Sequence, residues 1–269
     1  MDLADAAAWI RQADGLLITA GAGMGIDSGL PDFRGPGGFW AVYPALGKAR
    51  LAFAEIANPA AFAADPRLAW GFYGQRLALY RNTTPHAGFA LLLAMAAKLP
   101  QGAFVLTSNV DGHFQKAGFA AERVCEIHGS IHHLQCTVPC SERLWPAAPF
   151  QPRVAAENCQ LLGELPLCPH CGQLARPNIL LFDDGQWLAR RSDGQQQRLR
   201  QWLAGVERLV TIEIGAGTQI PTIRHFSESV GGRLIRINPG EAAIPDRENC
   251  AALPLGALAG IARLAAALA

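Results

Sequence analysis

GLLITAGAGMGIDSGLPDFRG, residues 15–35, joins a short apolar run to two successive turns. The run, Leu16 to Ile18, is continuous and apolar, the pattern of a buried strand. Glycines at 21, 23 and 25 follow, where a Cβ would block close approach of backbone or ligand. A second turn carries Pro31, Asp32, Phe33 and Arg34. A glycine turn between a buried strand and a helix presents backbone N–H groups that can hold a pyrophosphate. The same turn can also serve only to pack a helix on its strand, so the loop alone leaves both readings open.

The rest of the composition narrows the class. With 269 residues, 50% of them hydrophobic, the chain can bury one large core, or one core and a small satellite module. Lys and Arg number 23 against 22 Asp and Glu, with no basic run, which removes the electrostatic case for nucleic acid or a membrane surface. The start, MDLADAAAWIRQADG, is acidic where a signal peptide is basic, and no apolar stretch approaches the roughly 20 residues of a membrane span. Seven cysteines, four of them in two close pairs, favour a metal site in a reducing compartment over disulfides. A cytoplasmic location is expected.

Residues 3–13 place Leu3, Ala6, Ala7 and Ile10 on one face of a first helix. Helix, strand and glycine turn open a doubly wound α/β unit with a Rossmann-like parallel sheet. From Pro36 to about Thr84 the pattern changes. GPGGFW and YPALG read as loops, and AEIANPAAFAADPRLAWGFYGQRLALYR as short helices broken at Pro59 and Pro66. HAGFALLLAMAAKL is a strongly apolar helix, and Phe104 to Thr107 a second buried strand that runs into the polar Ser108, Asn109 and Asp111. RVCEIHGSI, residues 123–131, repeats the arrangement and leads to His128 and Gly129. Asn178 to Phe182 reads as a strand returning to the sheet, and Arg190 to Arg200 as a polar segment before an amphipathic helix. Leu209 to Ile214 then leads to Gly215, Gly217 and Thr218, and RLIRINPG ends its strand at Asn238.

Polar residues at the carboxyl ends of several parallel strands are a second argument for a dinucleotide lying across the sheet edge. No acidic residue closes a second strand about 20 residues after the glycine turn, so the fingerprint of a hydride-transferring dehydrogenase is missing. Among seven histidines, His128 is the catalytic candidate, since it follows a short strand and is backed by a glycine. Cys136 and Cys140 form a C-x3-C pair and Cys168 and Cys171 a C-x2-C pair, with 27 residues between the pairs. Two such pairs supply the four thiolates of a closed tetrahedral zinc site that staples a ribbon too small to fold unaided. Cys159 lies between them and can replace one ligand, whereas Cys125 and Cys250 read as core residues.

GAGMGIDSGLPDFRG, TSNVDG, EIHGS, the paired cysteines, CPHCGQLARPNILLF, GAGTQ and IN follow one another in the order of the sirtuins, the NAD-dependent protein deacylases. The chain resembles that family from about residue 15 to 240. The resemblance implies a discontinuous Rossmann-like NAD-binding domain, residues 1–35, 85–132 and 177–269. It would carry a small domain made of a helical insertion, 36–84, and a zinc ribbon, 133–176. Gly21, Ala22 and Gly23 would line the pyrophosphate, and Asp32, Phe33 and Arg34 would belong to a loop closing over the cofactor. Ser108, Asn109 and Asp111 would meet the nicotinamide and its ribose, Asn109 also taking part in catalysis. Gly217 and Thr218 would touch the phosphate and ribose side, and Asn238 the adenosine ribose. His128 would be the general base that helps the ribose 2′-hydroxyl attack once nicotinamide has left.

The chain departs from the family's usual residues at Gly25, Ser108, Gln219 and the pair Asp183 and Asp184. The change at Ser108 alters a ribose contact, and the aspartates alter the edge that pairs with a substrate peptide. Tyr73 and Arg76, in WGFYGQRL, match the Tyr-x-x-Arg pair of sirtuins that accept succinyl or malonyl lysine. Three apart on a helix, they share a face from which phenol and guanidinium can both reach a terminal carboxylate. A core tyrosine beside a solvated arginine is the other reading. The expected activity is NAD-dependent removal of acetyl, and of succinyl or malonyl, from lysines of a protein or peptide partner, giving nicotinamide and O-acyl-ADP-ribose, with zinc structural. An NAD-consuming ADP-ribosyltransferase or glycohydrolase, and a non-catalytic NAD-sensing interaction module, stay open, and the residues set no oligomeric state.

Overall fold

The computed structural model describes residues 3–31 and 35–269, with the side chains of 35–37 outside that description. Asp32, Phe33 and Arg34 therefore lie outside the described residues. In chain order the strands are β1 (Gly15–Ala20), β2 (Ala103–Thr107), β3 (Val124–Glu126), β4 (Gly129–Cys136), β5 (Trp145–Pro146), β6 (Arg153–Ala155), β7 (Gln160–Leu162), β8 (Ala175–Ile179), β9 (Leu209–Ile214), β10 (Arg233–Ile237) and β11 (Cys250–Leu253). The helices are α1 (Leu3–Gln12), α2 (Gly35–Val42), α3 (Pro44–Lys48), α4 (Phe53–Ile56), α5 (Pro59–Ala64), α6 (Pro66–Asn82), α7 (Ala87–Ala96), α8 (His113–Lys116), α9 (Arg190–Ala204), α10 (Thr222–Ser229) and α11 (Ala257–Leu268).

Six strands pair in parallel in the order β3-β2-β1-β9-β10-β11. Alternate residues of β1 face opposite layers, as a strand's period of two requires. Leu16 and Ile18 pack in a core with Ile10 of α1, Leu92 of α7 and Ile261 of α11. Leu17 packs the other way, with Phe104 and Leu106 of β2, Leu199 and Trp202 of α9, and Ile223 of α10. The chain winds outward from β1 to β3 and then resumes at β9 on the other side, so strand order reverses between β1 and β9. Such a reversal opens a crevice beyond the carboxyl ends of the strands.

The glycines at that point are required by the packing of one turn on the other. Ala20 lies in register with Ile214, and the Gly23 N–H donates to the Gly215 carbonyl at 3.0 Å. A Cβ on Gly23 would fall 2.6 Å from the Gly215 Cα, and Gly215 itself has φ 59°, in the left-handed region. The turn leads into a 3-10 helix, Ala22–Ser28.

A second core forms beside the sheet. β4 pairs antiparallel with β5 and β8, and β6 with β7. Trp70, Phe72 and Leu77 of α6 share this core with Ile131 and Leu134 of β4, Cys159 and Leu161. Trp70 Nε1 donates to the Ala175 carbonyl at 2.8 Å, and a Cβ on Gly71 would fall 1.7 Å from the Cys159 carbonyl oxygen. Helical insertion and ribbon thus share one interior. Among the described residues no helix is long and apolar enough to cross a membrane.

Three sequence expectations are corrected, the first at GPGGFW and YPALG, which read as loops in the sequence and fall largely within α2 and α3. The strand placed at Asn178–Phe182 runs Ala175–Ile179 and pairs with β4 in place of the parallel sheet. The polar segment from Arg190 is itself the first part of α9, whose Ser192, Gln195 and Leu199 are buried. The helical stretch does break at Pro59 and Pro66, as expected: each proline begins a helix at its first position, where a missing N–H costs nothing, and Asn58 and Asp65 cap them by accepting from Ala60 and Leu68 N–H groups.

Candidate active site

The carboxyl ends of β1, β2, β3 and β9 open onto a cleft of about 460 Å3. One wall carries Gly21 and Ala22, then Ser108, Asn109 and Asp111, then His128, then Gly217 and Thr218. The opposite wall is Phe53, Tyr73, Arg76 and Tyr80 from the second core. A cavity of about 120 Å3 shares Ala22 and Gly217 with the cleft and adds Gly23 and Asn238.

Local hydrogen bonds set the first wall. Thr107 Oγ1 donates to the Ala20 carbonyl at 2.9 Å and accepts the Asn109 N–H at 3.0 Å. Asn109 Nδ2 donates to the Gly21 carbonyl at 2.9 Å. Asp111 Oδ1 accepts the His113 N–H at 2.8 Å, which starts α8. His128 leaves β3 just before Gly129, whose φ is 79° and whose missing Cβ would lie 2.1 Å from the Asn178 carbonyl oxygen. The His128 carbonyl accepts the Leu180 N–H at 2.9 Å, stitching the histidine to the exit of β8. Burial holds its imidazole below the ordinary value, with the Ser108 backbone acting in the opposite sense. The ring is therefore neutral near pH 7 and able to accept a proton.

At the other end, Asn238 is buried, its Nδ2 donating to the Ala216 carbonyl at 3.0 Å and its Oδ1 accepting from Gly240 and Glu241 at 3.1 and 2.9 Å. Its amide shapes the turns around the small cavity. Glu241, absent from the sequence expectations, accepts from Thr218 at both the backbone N–H, 3.0 Å, and Oγ1, 2.7 Å. Its signal was its place three residues after Asn238, in the loop beyond a strand end.

Arg76 is 8% exposed, so the solvated-arginine alternative does not hold. Its Nε and Nη2 donate to the Tyr80 phenol oxygen at 3.0 and 2.8 Å. Its guanidinium carbon lies 5.3 to 6.0 Å from the ring centres of Phe72, Tyr80, Tyr73 and Phe53. Burial works against the charge, but the phenols of Tyr80, Tyr73 and Tyr43 outweigh it and hold Arg76 above its ordinary range. Tyr80 was missed in the sequence, although it stands four residues after Arg76. Just after Phe182, Asp183 has φ 54°, and Asp184 pairs with buried Arg176 at 2.8 Å.

The four cysteines gather away from the cleft. Cys136 and Cys171 sulfurs lie 3.6 Å apart, Cys140 and Cys168 3.7 Å, and all four fall within 4.8 Å of one another. A tetrahedral ion with zinc–sulfur bonds of about 2.3 Å sets its sulfurs about 3.8 Å apart, so the donor set fits structural zinc. Cys159 belongs to the second core and Cys125 and Cys250 are buried, so none of these three joins the cluster. A more open groove of about 910 Å3 runs beside α9, where Arg143, Arg190, Arg191 and Arg198 face Glu122, Glu126 and Glu142. None of the candidate catalytic, cofactor, metal or acyl-pocket residues named from the sequence lines it.

A doubly wound sheet with a ligand cleft at its strand reversal, and a four-thiolate ribbon beside it, defines the class. The Sir2 family model matches residues 21–201. The chain is 32% identical over 248 residues to NAD-dependent protein deacylase 2 of Pyrobaculum aerophilum, across 91% of this chain and 86% of that protein. It is 30% identical to an NAD-dependent protein deacylase of Thermococcus sibiricus, across 85% and 82%. A solved complex of a Sir2 homologue with NAD matches at a TM-score of 0.74 and 25% identity, across 100% of this chain and 94% of that one. The chain belongs to the Sir2 family.

Proposed function

We propose that this chain is an NAD-dependent protein lysine deacylase whose acyl pocket accepts chains ending in a carboxylate. The observation that carries the activity is the convergence of His128, the Asn109–Asp111 segment and the β1 glycine turn on one cleft. NAD bound there supplies an electrophilic sugar carbon with nicotinamide as its leaving group. Gly21, Ala22 and Gly217 offer bare backbone to a pyrophosphate. Asn109 and Asp111 hold the nicotinamide end, and His128, neutral at working pH, takes a proton from a sugar hydroxyl. Exposed Leu180, Phe182 and Ile220 rim the cleft and offer apolar contact to the substrate peptide. The carboxylate preference rests on buried Arg76 in the opposite wall.

Acetyl-, succinyl- and long-chain acyl-lysine peptides incubated with NAD and followed by mass spectrometry test the reading. Deacylated peptide and O-acyl-ADP-ribose should appear together. Brisk nicotinamide release from NAD without peptide would identify a glycohydrolase instead. Arg76→Met should depress desuccinylation far more than deacetylation, and equal losses would end the carboxylate part of the proposal.

A further inference from the structure

Tyr80 lies on α6 four residues after Arg76 and seven after Tyr73, so the three project from one helical face. It is 5% exposed and lines the cleft. Its phenol oxygen accepts from Arg76 Nε at 3.0 Å and Nη2 at 2.8 Å. Two N–H groups of a rigid planar fork aimed at one oxygen fix the plane and rotation of the guanidinium. Burial pushes the Tyr80 hydroxyl above the ordinary range, with Arg76 acting in the opposite sense, so the phenol keeps its proton at neutral pH. Both described bonds to that oxygen come from Arg76, which leaves the O–H as a donor at the cleft wall.

Resting on the deacylase reading above, we propose that Tyr80 is a specificity-determining residue for acyl chains ending in a carboxylate. It sets the Arg76 fork and donates its own O–H to the carboxylate. An acetyl group has no second acceptor and draws nothing from either contact. Succinyl, malonyl and glutaryl chains present one.

Tyr80→Phe keeps the ring and removes only the oxygen. Acetyl- and succinyl-lysine forms of one peptide are compared at saturating NAD for the unchanged protein, Tyr80→Phe, Arg76→Met and the double variant. For Tyr80→Phe the succinyl-to-acetyl ratio of kcat/KM should fall about tenfold, through KM, the scale of one hydrogen bond to a charged group. On succinyl peptide, Tyr80→Phe should cost less in the Arg76→Met background than in the unchanged protein, because the part of its effect that runs through the guanidinium is already gone and only the direct O–H contact is left to lose. If Tyr80→Phe leaves the ratio unchanged while Arg76→Met lowers it, the role given to Tyr80 is overturned and the carboxylate pocket stands. If Arg76→Met also leaves the ratio unchanged, the carboxylate preference itself fails. An unchanged protein that turns over no acyl peptide sinks both.

Discussion

Asn109 donates from its side-chain amide to the Gly21 carbonyl at 2.9 Å, tying the segment after β2 to the glycine turn after β1. The neighbouring strands align Ala20 with Thr107, so the bond spans two adjacent strand ends. Asn109→Ala should cut kcat/KM by about 100-fold, the scale of a lost preorganised polar contact. One hydrogen bond is worth only about 1 kcal/mol of stability, so the melting temperature should move by a few degrees. Steady-state kinetics and a thermal melt separate the two effects.

The role of base proposed for His128 predicts an acid limb in the reaction. Burial lowers its pKa, so the base stays unprotonated to a lower pH than an ordinary imidazole. The kcat/KM profile should fall on the acid side with a midpoint below about 6.5. His128→Ala should lower kcat by about 1,000-fold or more while NAD binding, followed by calorimetry, persists. A variant that retains full turnover would remove the base from its role.

Stability should depend on pH through His133. Its ring Nδ1 is buried without a partner, and burial, with Arg191 and His132 adding to it, pushes the imidazole down to about 4. From about pH 6.5 down to that value the unfolded chain binds a proton that the folded one refuses, so stability is full above the window and falls through it. His86, His113 and His128 are lowered too and act in the same direction. Urea midpoints at pH 7 and pH 5 should differ, and His133→Phe should shrink that difference without abolishing it.

Removing the metal should unfold the ribbon. Elemental analysis should find one zinc per chain, and Cys171→Ser should lose it, since the four sulfurs sit at tetrahedral spacing. Structural zinc contributes about 10 kcal/mol or more to small domains, so a strong chelator should lower the melting temperature and activity together. Deacylation that survives with full stability in metal-free protein would contradict a structural role.

Gly23→Ala tests the turn at the strand reversal. The new Cβ would meet the Gly215 Cα at 2.6 Å and the Gly215 carbonyl oxygen at 3.0 Å, and backbone on that side cannot rotate away. A loss of about 1–3 kcal/mol and a raised KM for NAD are expected, read by chemical denaturation and NAD titration.

Much of the architecture was legible along the chain because its signals are local. Apolar runs closed by glycine or a polar residue mark β1, β2, β9 and β10, and a buried parallel strand needs only that pattern. The cysteine pairs announced their cluster through spacing, since each close pair brings two sulfurs to one ion. His128 stood out from its place between a short strand and Gly129. By contrast β11, the short run CAAL, carries no period to read. The partner of ARPNI was equally hidden, because it fits a strand in either sheet and only the fold of β4 decides.

Residue order thus determined the α/β class, the glycine turns, the thiolate set and the polar strand ends, all properties of neighbours in the chain. Tertiary structure alone decided which distant groups meet. Tyr73, Arg76 and Tyr80 become a cleft wall only because the second core packs α6 against the strand ends. Glu241 reaches Thr218 across 23 positions of sequence. Such contacts are set by how sheets and cores dock, and docking depends on long-range packing that no local period encodes.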